Sequence, residues 1–498
     1  MRRMLLALSI PMLILAKDPV DNLPDFSQVH RSTIPSDGNR KVEDHFPTAG
    51  ARGRELAKVK VPGKASGLTG TTQAVTHPLG VDIKVGLVHA QTGIFAPMGQ
   101  GGVFGAQAAV EDINKLGGVQ VGDQKLPIQL VVVDNESDVY KAGSLAQGLI
   151  NQNGVSFIVS GDEPPPMHVG VSFVCERYKV PYITSVGPLE SWVGMRNLTP
   201  TKWQYTWSTG LMAIATPATG NDFRAGRPGY TVLDTWKDML DQLGSQTNKK
   251  VGLLASDEPD GRGWYMVFGP ALAKMGYTGV GLDRNLGLMP METTDFSSVI
   301  TAWKDAGVEI LWGNAPGPFF GAIWKQCKAL GFTPKIAMIS RGAIYYNDAN
   351  SWGSDLAAGI GSEIWWDPSF KGCPGIGDTT PLSLAARWKA AKNQPLNPAI
   401  GPGYRSVQVL VDAIQRAGSL DADKVNAALK DTNLLTIGHR VKFDENHFSR
   451  GPVLFGQWFK TEGPEKWELK VVSSKHDFAT KIADPVFPLP VESEEPLE

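Results

Sequence analysis

The chain has 498 residues, 48 of them basic and 50 acidic, and 42% are hydrophobic. At about 150 residues per domain that length supports two or three cores, and the even charge balance leaves no electrostatic case for nucleic acid. Cys175, Cys327 and Cys373 lie far apart with no CxxC, which excludes a disulfide-built scaffold and a thioredoxin-type site and allows at most one disulfide.

At the amino terminus Arg2 and Arg3 precede an apolar run from Met4 to Ala16, after which charge returns at Lys17 and Asp18. This is the layout of a secretory signal peptide, and the run is too short to span a bilayer comfortably. Residues 1–16 are therefore expected to direct export to the periplasm or beyond. Residues 17–80 are poor in Val, Ile, Leu and Phe and carry prolines at 19, 24, 35, 47, 62 and 78, which reads as a linker or arm without its own core.

From residue 81 the pattern changes. Ile83 to Val88, Ile128 to Val133, Phe157 to Ser160 and Tyr182 to Ser185 are short apolar runs suited to buried strands. Between them Ala106, Ala109, Val110 and Ile113, then Ala142, Leu145, Ala146 and Leu149, fall at helical spacing. Strands alternating with helices imply a parallel sheet with crossovers. The alternation restarts with Val251 to Ala255, Glu309 to Trp312 and Ile336 to Ile339 as strands, with Phe296, Val299, Ile300 and Trp303 on one helix face. Val407, Leu410, Val411 and Ile414 mark a helix stopped by Gly418, followed by strand-like runs at Val453 to Phe459 and Trp467 to Val472.

Motifs for common chemistries are missing. Gly99, Gly101, Gly102 and Gly105 stand between the first strand and helix, but Phe104 occupies the third glycine position of GxGxxG, so a dinucleotide cofactor is not expected. GxxxxGK[ST], GxSxG and HExxH do not occur, and the histidines are scattered; neither metal nor cofactor is expected. Acids gather at strand ends: Asp134 and Glu136, Asp162 and Glu163, then Asp257, Glu258 and Asp260. They suit acid/base chemistry or the capping of helix N-termini. Trp192, Trp203, Trp207, Trp264, Trp312, Trp365 and Trp366 also fall at or beyond strand ends, where open parallel sheets bind ligands, although core packing explains large aromatics equally well.

Taken in order, IKVGLVHAQTG, GGVFGAQAAVEDINKLGGV, IQLVVVDNESD, VPYITSVGP, TTDFSSVITAWKDAGVEIL, WKQCKALGF and GYRSVQVLVDAIQRAG resemble the type I solute-binding proteins of ABC importers, in the branched-chain amino-acid-binding group. The likeness runs over about residues 82 to 475. It implies an α/β fold of two doubly wound parallel-sheet lobes joined by three crossovers, near Trp207, Trp365 and His439. Lobe 1 would comprise residues 81–207 and 366–438, and lobe 2 residues 208–365 and 439–490. Carried over segment by segment, the ligand would lie among Gln91, Thr92, Met98, Asp162, Glu163, Pro164, Ser185 and Gly187 of the first lobe. Asp260, Trp264, Asn314 and Arg341 would face it from the second, with Trp207 at a crossover. The chain departs from amino-acid binders at two places: Pro164 to Pro166 stand where those proteins place hydroxyls for the carboxylate, and Arg341 where they place an acid for the ammonium. A guanidinium can hold a carboxylate through two parallel hydrogen bonds, or it can pair with a nearby acid such as Asp260.

The implied function is a noncatalytic, extracytoplasmic receptor that hands a small organic solute, a carboxylate or amide rather than a standard α-amino acid, to a membrane permease. A ligand sensor of the same fold, and an α/β enzyme using the strand-end carboxylates, are the alternatives.

Overall fold

The computed structural model describes residues 82–185, 187–197, 202–214, 230–353 and 355–490. The expected signal peptide and arm lie outside them. The first half runs β1 (Ile83–His89), α1 (Ala96–Lys115), a hairpin of β2 (Val119–Val121) and β3 (Gln124–Leu126), β4 (Ile128–Asp134), α2 (Val139–Asn151), β5 (Phe157–Val159), α3 (Pro165–Tyr178), β6 (Tyr182–Thr184), α4 (Leu189–Asn197) and β7 (Thr206–Ser208). Its main sheet has the order β4-β1-β5-β6-β7 and is parallel throughout. Val85 of β1 lies between Leu130 and Phe157. Both faces of such a sheet are covered by helices, which is why its strands read as continuous apolar runs rather than as alternation.

The second half runs α5 (Val232–Leu243), β8 (Lys250–Ser256), α6 (Pro259–Lys274), β9 (Thr278–Val280), β10 (Leu288–Met289), α7 (Ser297–Asp305), β11 (Ile310–Ala315), α8 (Gly317–Ala329), β12 (Ile336–Arg341), α9 (Tyr346–Ser351) and β13 (Gly361–Ile364). Next come α10 (Pro381–Lys392), α11 (Ile400–Ala417), α12 (Ala422–Lys430), a hairpin of β14 (Asn433–Leu435) and β15 (Arg440–Lys442), and finally β16 (Leu454–Lys460) and β17 (Trp467–Ser473). The second sheet is ordered β10-β8-β11-β12-β13-β16-β17, with β9 beside β8. It is parallel as far as β13, where β16 and β17 add antiparallel strands. The result is two parallel-sheet α/β lobes.

The helices α10 and α11 return the chain to the first sheet. Asp112 of α1 accepts hydrogen bonds from Arg387 of α10, from Thr379 and from Tyr404 of α11, and Ser406 Oγ donates to the Ser160 carbonyl. The contact of α1 with α11 is close enough that a methyl group on Gly105 would stand 1.9 Å from the Ile400 oxygen. The chain passes between the sheets after Ser208, after Ile364 and before Leu454. Trp207 belongs to β7, and Trp365 follows β13 directly. Past His439, the backbone of residues 447–449 still exchanges hydrogen bonds with Ser208, so the third passage begins beyond Ser449. All three cysteines are buried and free of disulfides. No helix among the described residues is long and apolar enough to cross a membrane.

Candidate functional site

A cleft enclosing about 600 Å³ of open space lies where the carboxyl ends of the two sheets meet, the place where open α/β sheets bind ligands. Its first wall comes from Met98 in the first turn of α1, Asp162, Glu163 and Pro164 after β5, Gly187 and Pro188 after β6, and Leu211 and Ala213 after β7. The opposite wall comes from Val232 of α5, Asp260, Trp264 and Phe268 of α6, Asn314 of β11, Ser340 and Arg341 of β12, Ile344, Glu363 of β13 and Trp365. Trp264 and Phe268 stack one turn apart on α6, with ring centroids 4.7 Å apart. That pair makes an aromatic shelf.

Arg341 closes β12 in the left-handed backbone region, with φ of 61°, a conformation that costs free energy for a residue with a side chain. This backbone aims the guanidinium across the strand ends. Its Nη2 donates to Glu258 Oε1 at 2.7 Å and to Ser256 Oγ at 3.1 Å. Nε donates to Asn314 Oδ1 and lies 3.1 Å from Asp260 Oδ2. Nη1 is buried and has no partner among the described residues. Glu258 is the N-cap of α6 and accepts from the Asp260 and Gly261 amides, each at 3.0 Å. Burial works to raise the Glu258 pKa, but Arg341 and those amides outweigh it and hold the carboxyl below its usual range. For Asp260 burial prevails over Arg341, and the neighbouring Glu258 adds to the rise. The cleft thus holds one arginine whose charge two acids already balance.

The other acids differ from one another. Glu163 accepts from the Ala90 amide at 2.6 Å and from Asn135 Nδ2 at 3.1 Å, and lies 2.8 Å from His89 Nδ1. Burial alone would raise its pKa, yet His89 and Asn135 bring it below the ordinary value. Glu363 accepts from Ser340 Oγ, Ser362 Oγ and Trp236 Nε1, and burial keeps its pKa raised. Asp162 is pushed up to about 8 by burial, with Arg405 opposing and Glu163 reinforcing the rise.

Of the residues the resemblance pointed to, Met98, Asp162, Glu163, Pro164, Gly187, Asp260, Trp264, Asn314 and Arg341 line this cleft. Gln91, Thr92, Ser185 and Trp207 do not. The loop carrying Gln91 and Thr92 folds over the end of β4, where Asp134 accepts from both amides and from Thr92 Oγ1. Ser185 Oγ accepts from Arg405 Nη2 at 2.6 Å behind the cleft. Trp207 stacks on His447 with ring centroids 3.7 Å apart, and its Nε1 donates to Asn426. The possibility that Arg341 pairs with Asp260 holds, and Glu258 joins the pair; a carboxylate clamp with a free guanidinium does not fit. Capping is also what Glu258 does. Sequence reasoning missed Glu363, Ser340, Phe268 and Leu211: Ser340 and Phe268 sit in elements that read as core, Glu363 in the short polar β13, and Leu211 in the segment after β7. Trp365 stood out as one tryptophan among several at strand ends and as the marker of a crossover, not as a cleft residue.

A family model described as periplasmic binding protein matches residues 82–463. The Leu/Ile/Val-binding protein BraC3 of Rhizobium johnstonii is 27% identical over 354 residues, covering 70% of this chain and 84% of that protein. In fold, the chain is similar to the branched-chain amino acid transporter substrate-binding protein of Streptococcus pneumoniae in complex with isoleucine, with a TM-score of 0.59 at 18% identity over 78% of this chain and 99% of the other. It is also similar to a solute-binding protein of an ABC transporter from Rhodopseudomonas palustris in complex with 3,4-dihydroxybenzoic acid, with a TM-score of 0.58 at 19% identity over 82% of this chain and 98% of the other. Two parallel-sheet lobes, a cleft at their carboxyl ends and a match over most of the chain agree: the protein belongs to the periplasmic binding protein family and has its type I fold.

Proposed function

We propose that this protein is the extracytoplasmic receptor of an ABC importer, binding one small organic solute, closing its lobes around it and presenting it to a membrane permease. The observation that carries this reading is the cleft itself, with side chains from both sheets converging on one space. A solute touching both walls binds the closed state preferentially and shifts its population. Residues 1–16 serve as signal peptide, and the mature chain begins near Lys17. The lobes divide at the passages, with residues 82–208 and about 366–449 in one and 230–365 and 454–490 in the other.

The lining narrows the solute. Trp264, Phe268 and Trp365 suit a flat apolar body, and Arg341 Nη1 offers one unspent donor to a hydrogen-bond acceptor. Because Glu258 and Asp260 already balance Arg341, a neutral acceptor such as an amide carbonyl fits better than a free carboxylate. Pro164 to Pro166 remove the hydroxyls expected for an α-amino acid. A fold neighbour holding an aromatic acid supports a ring-sized solute.

The test is a thermal-shift screen of small organic acids, amides and amino acids, since a ligand bound only by the folded state raises the melting temperature. Small-angle scattering then follows each hit. A hit that compacts the protein supports the receptor. Hits that leave the scattering unchanged at saturation would sink it.

A further inference from the structure

Arg405 of α11 lies beneath the cleft, 2% exposed, and its guanidinium bonds the first of the segments that join the lobes and the chain ahead of the third. At the first passage Nε donates to Thr209 Oγ1 at 3.1 Å and Nη2 to the Thr209 carbonyl at 3.0 Å. Nη1 meets His439 Nδ1 at 3.1 Å on the chain leading to the third passage. A small cavity opens beside this cluster, lined by Asp162, Ser185, Leu211, Trp365, Arg405 and Gly451 among others. Trp365 stands at the second passage and Gly451 at the third, while Asp162, Leu211 and Trp365 also line the main cleft.

Asp162 is therefore the acid where the solute cleft and the hinge meet. The other acids of the cleft are engaged: Glu163 with His89 and two N–H donors, Glu363 with two hydroxyls and an indole, Asp260 with Arg341 and Asn314. Among the described residues Asp162 receives none of the backbone N–H bonds that hold Glu163 and Glu258; the indole of Trp365 is the donor set against it, and it is 5% exposed. A carboxylate has about four acceptor sites, so after Trp365 acceptor capacity remains at a residue that lines the cleft.

We propose that Asp162 is a second, hinge-side anchor of the cleft, accepting a hydrogen bond from an N–H donor of the solute beside the cavity that it shares with Arg405 and the three passages. The inference rests on the cleft being the solute site. Together with Arg341 Nη1 it defines a solute with an acceptor and an N–H donor on an apolar body, of which a primary amide is the simplest form.

The groups facing Asp162 set the sign of the pH effect. These are Glu163 on its own loop, Arg405 with His439 beyond it, Tyr345 after β12, and Arg341, Asp260 and Glu363 across the cleft. Burial keeps Asp162 largely protonated at neutral pH. An N–H donor favours the ionised form, so its binding releases a proton and strengthens as pH rises. An acceptor without a donor gains nothing from that ionisation.

Benzamide, acetophenone and benzoate test this by titration calorimetry, because they share a ring and an acceptor oxygen and differ in the group beside it. Benzamide is expected to bind about tenfold more tightly than either of the others at pH 9, and about tenfold more tightly at pH 9 than at pH 6.5. Asp162→Asn, which keeps the volume, should flatten that pH dependence. Arg405→Lys should leave benzamide bound while reducing the compaction seen in small-angle scattering. Equal binding of acetophenone or benzoate in the parent protein, or a pH profile unchanged in Asp162→Asn, would overturn the proposal. So would failure of all three compounds to bind; the receptor reading then still stands if the wider screen finds another solute that closes the cleft, and falls with it if none does.

Discussion

Arg341 shows how one side chain can be both a site residue and a structural one. Its buried guanidinium pairs with Glu258 and Asp260, both half-buried, so removing it leaves two acids without their cation rather than losing one contact. Arg341→Ala is expected to destabilise the fold by about 3 to 5 kcal/mol, the usual cost of breaking a buried ion pair. Arg341→Lys should recover part of that, since it restores the charge without the planar fork; urea unfolding of the three proteins checks the order. Three other acids carry a pH signature. Burial pushes Asp162 to about 8, Glu190 to about 7 and Asp348 to about 7. Each holds its proton in the folded chain at pH values where the unfolded chain has released it, so their contribution to stability is greatest on the acid side and falls as pH rises from about 4 to 8, while His168 and His447, which burial holds near 4, contribute in the opposite sense below about 6.5. Denaturation curves between pH 6.5 and 8, above the range where the two histidines oppose it, should show this decline. Asp162→Asn should make it shallower by up to about 1.4 kcal/mol per pH unit near neutrality.

At the scale of elements, the α1–α11 contact ties the first half of the chain to a helix some three hundred positions later. It depends on glycine. A methyl at Gly105 would meet the Ile400 oxygen at 1.9 Å, and one at Gly403 the Gly102 oxygen at 2.0 Å. Neither neighbour is a flexible side-chain end, so the helices themselves must separate. Gly105→Ala is therefore expected to destabilise by about 1 to 3 kcal/mol despite alanine's better helix propensity, the range seen for overpacked cores; thermal unfolding monitored by circular dichroism reads it. Most strands and long helices were legible because β1, β4, β8, β11 and β12 are apolar runs and α1, α2, α7 and α11 keep one apolar face. The strands β7 and β13 were not. TWS and GSEI are three and four residues long and carry polar side chains, and only the neighbouring strands on the sheet make them strands.

For the whole molecule, the arrangement predicts one solute per chain and a change in tryptophan environment on closure, because Trp264 and Trp365 sit on the wall facing the first lobe's loops. Intrinsic fluorescence titrated with any hit from the screen should saturate at one equivalent. A rigid molecule would leave emission and scattering unchanged together.

The order of apolar runs and helical faces was enough, by itself, to establish two α/β units with parallel sheets, because buried strands and amphipathic helices are local patterns. Collinear likeness carried half of the cleft residues with it, since loops at strand ends keep their place along the chain. What the sequence could not decide was which charges remain free. Asp134 claims Gln91 and Thr92, Arg405 claims Ser185, His447 claims Trp207, and Glu258 with Asp260 claims Arg341. Most of these pairings join residues distant along the chain, and the cost of burying a charge is settled by whichever partner the tertiary structure brings within reach.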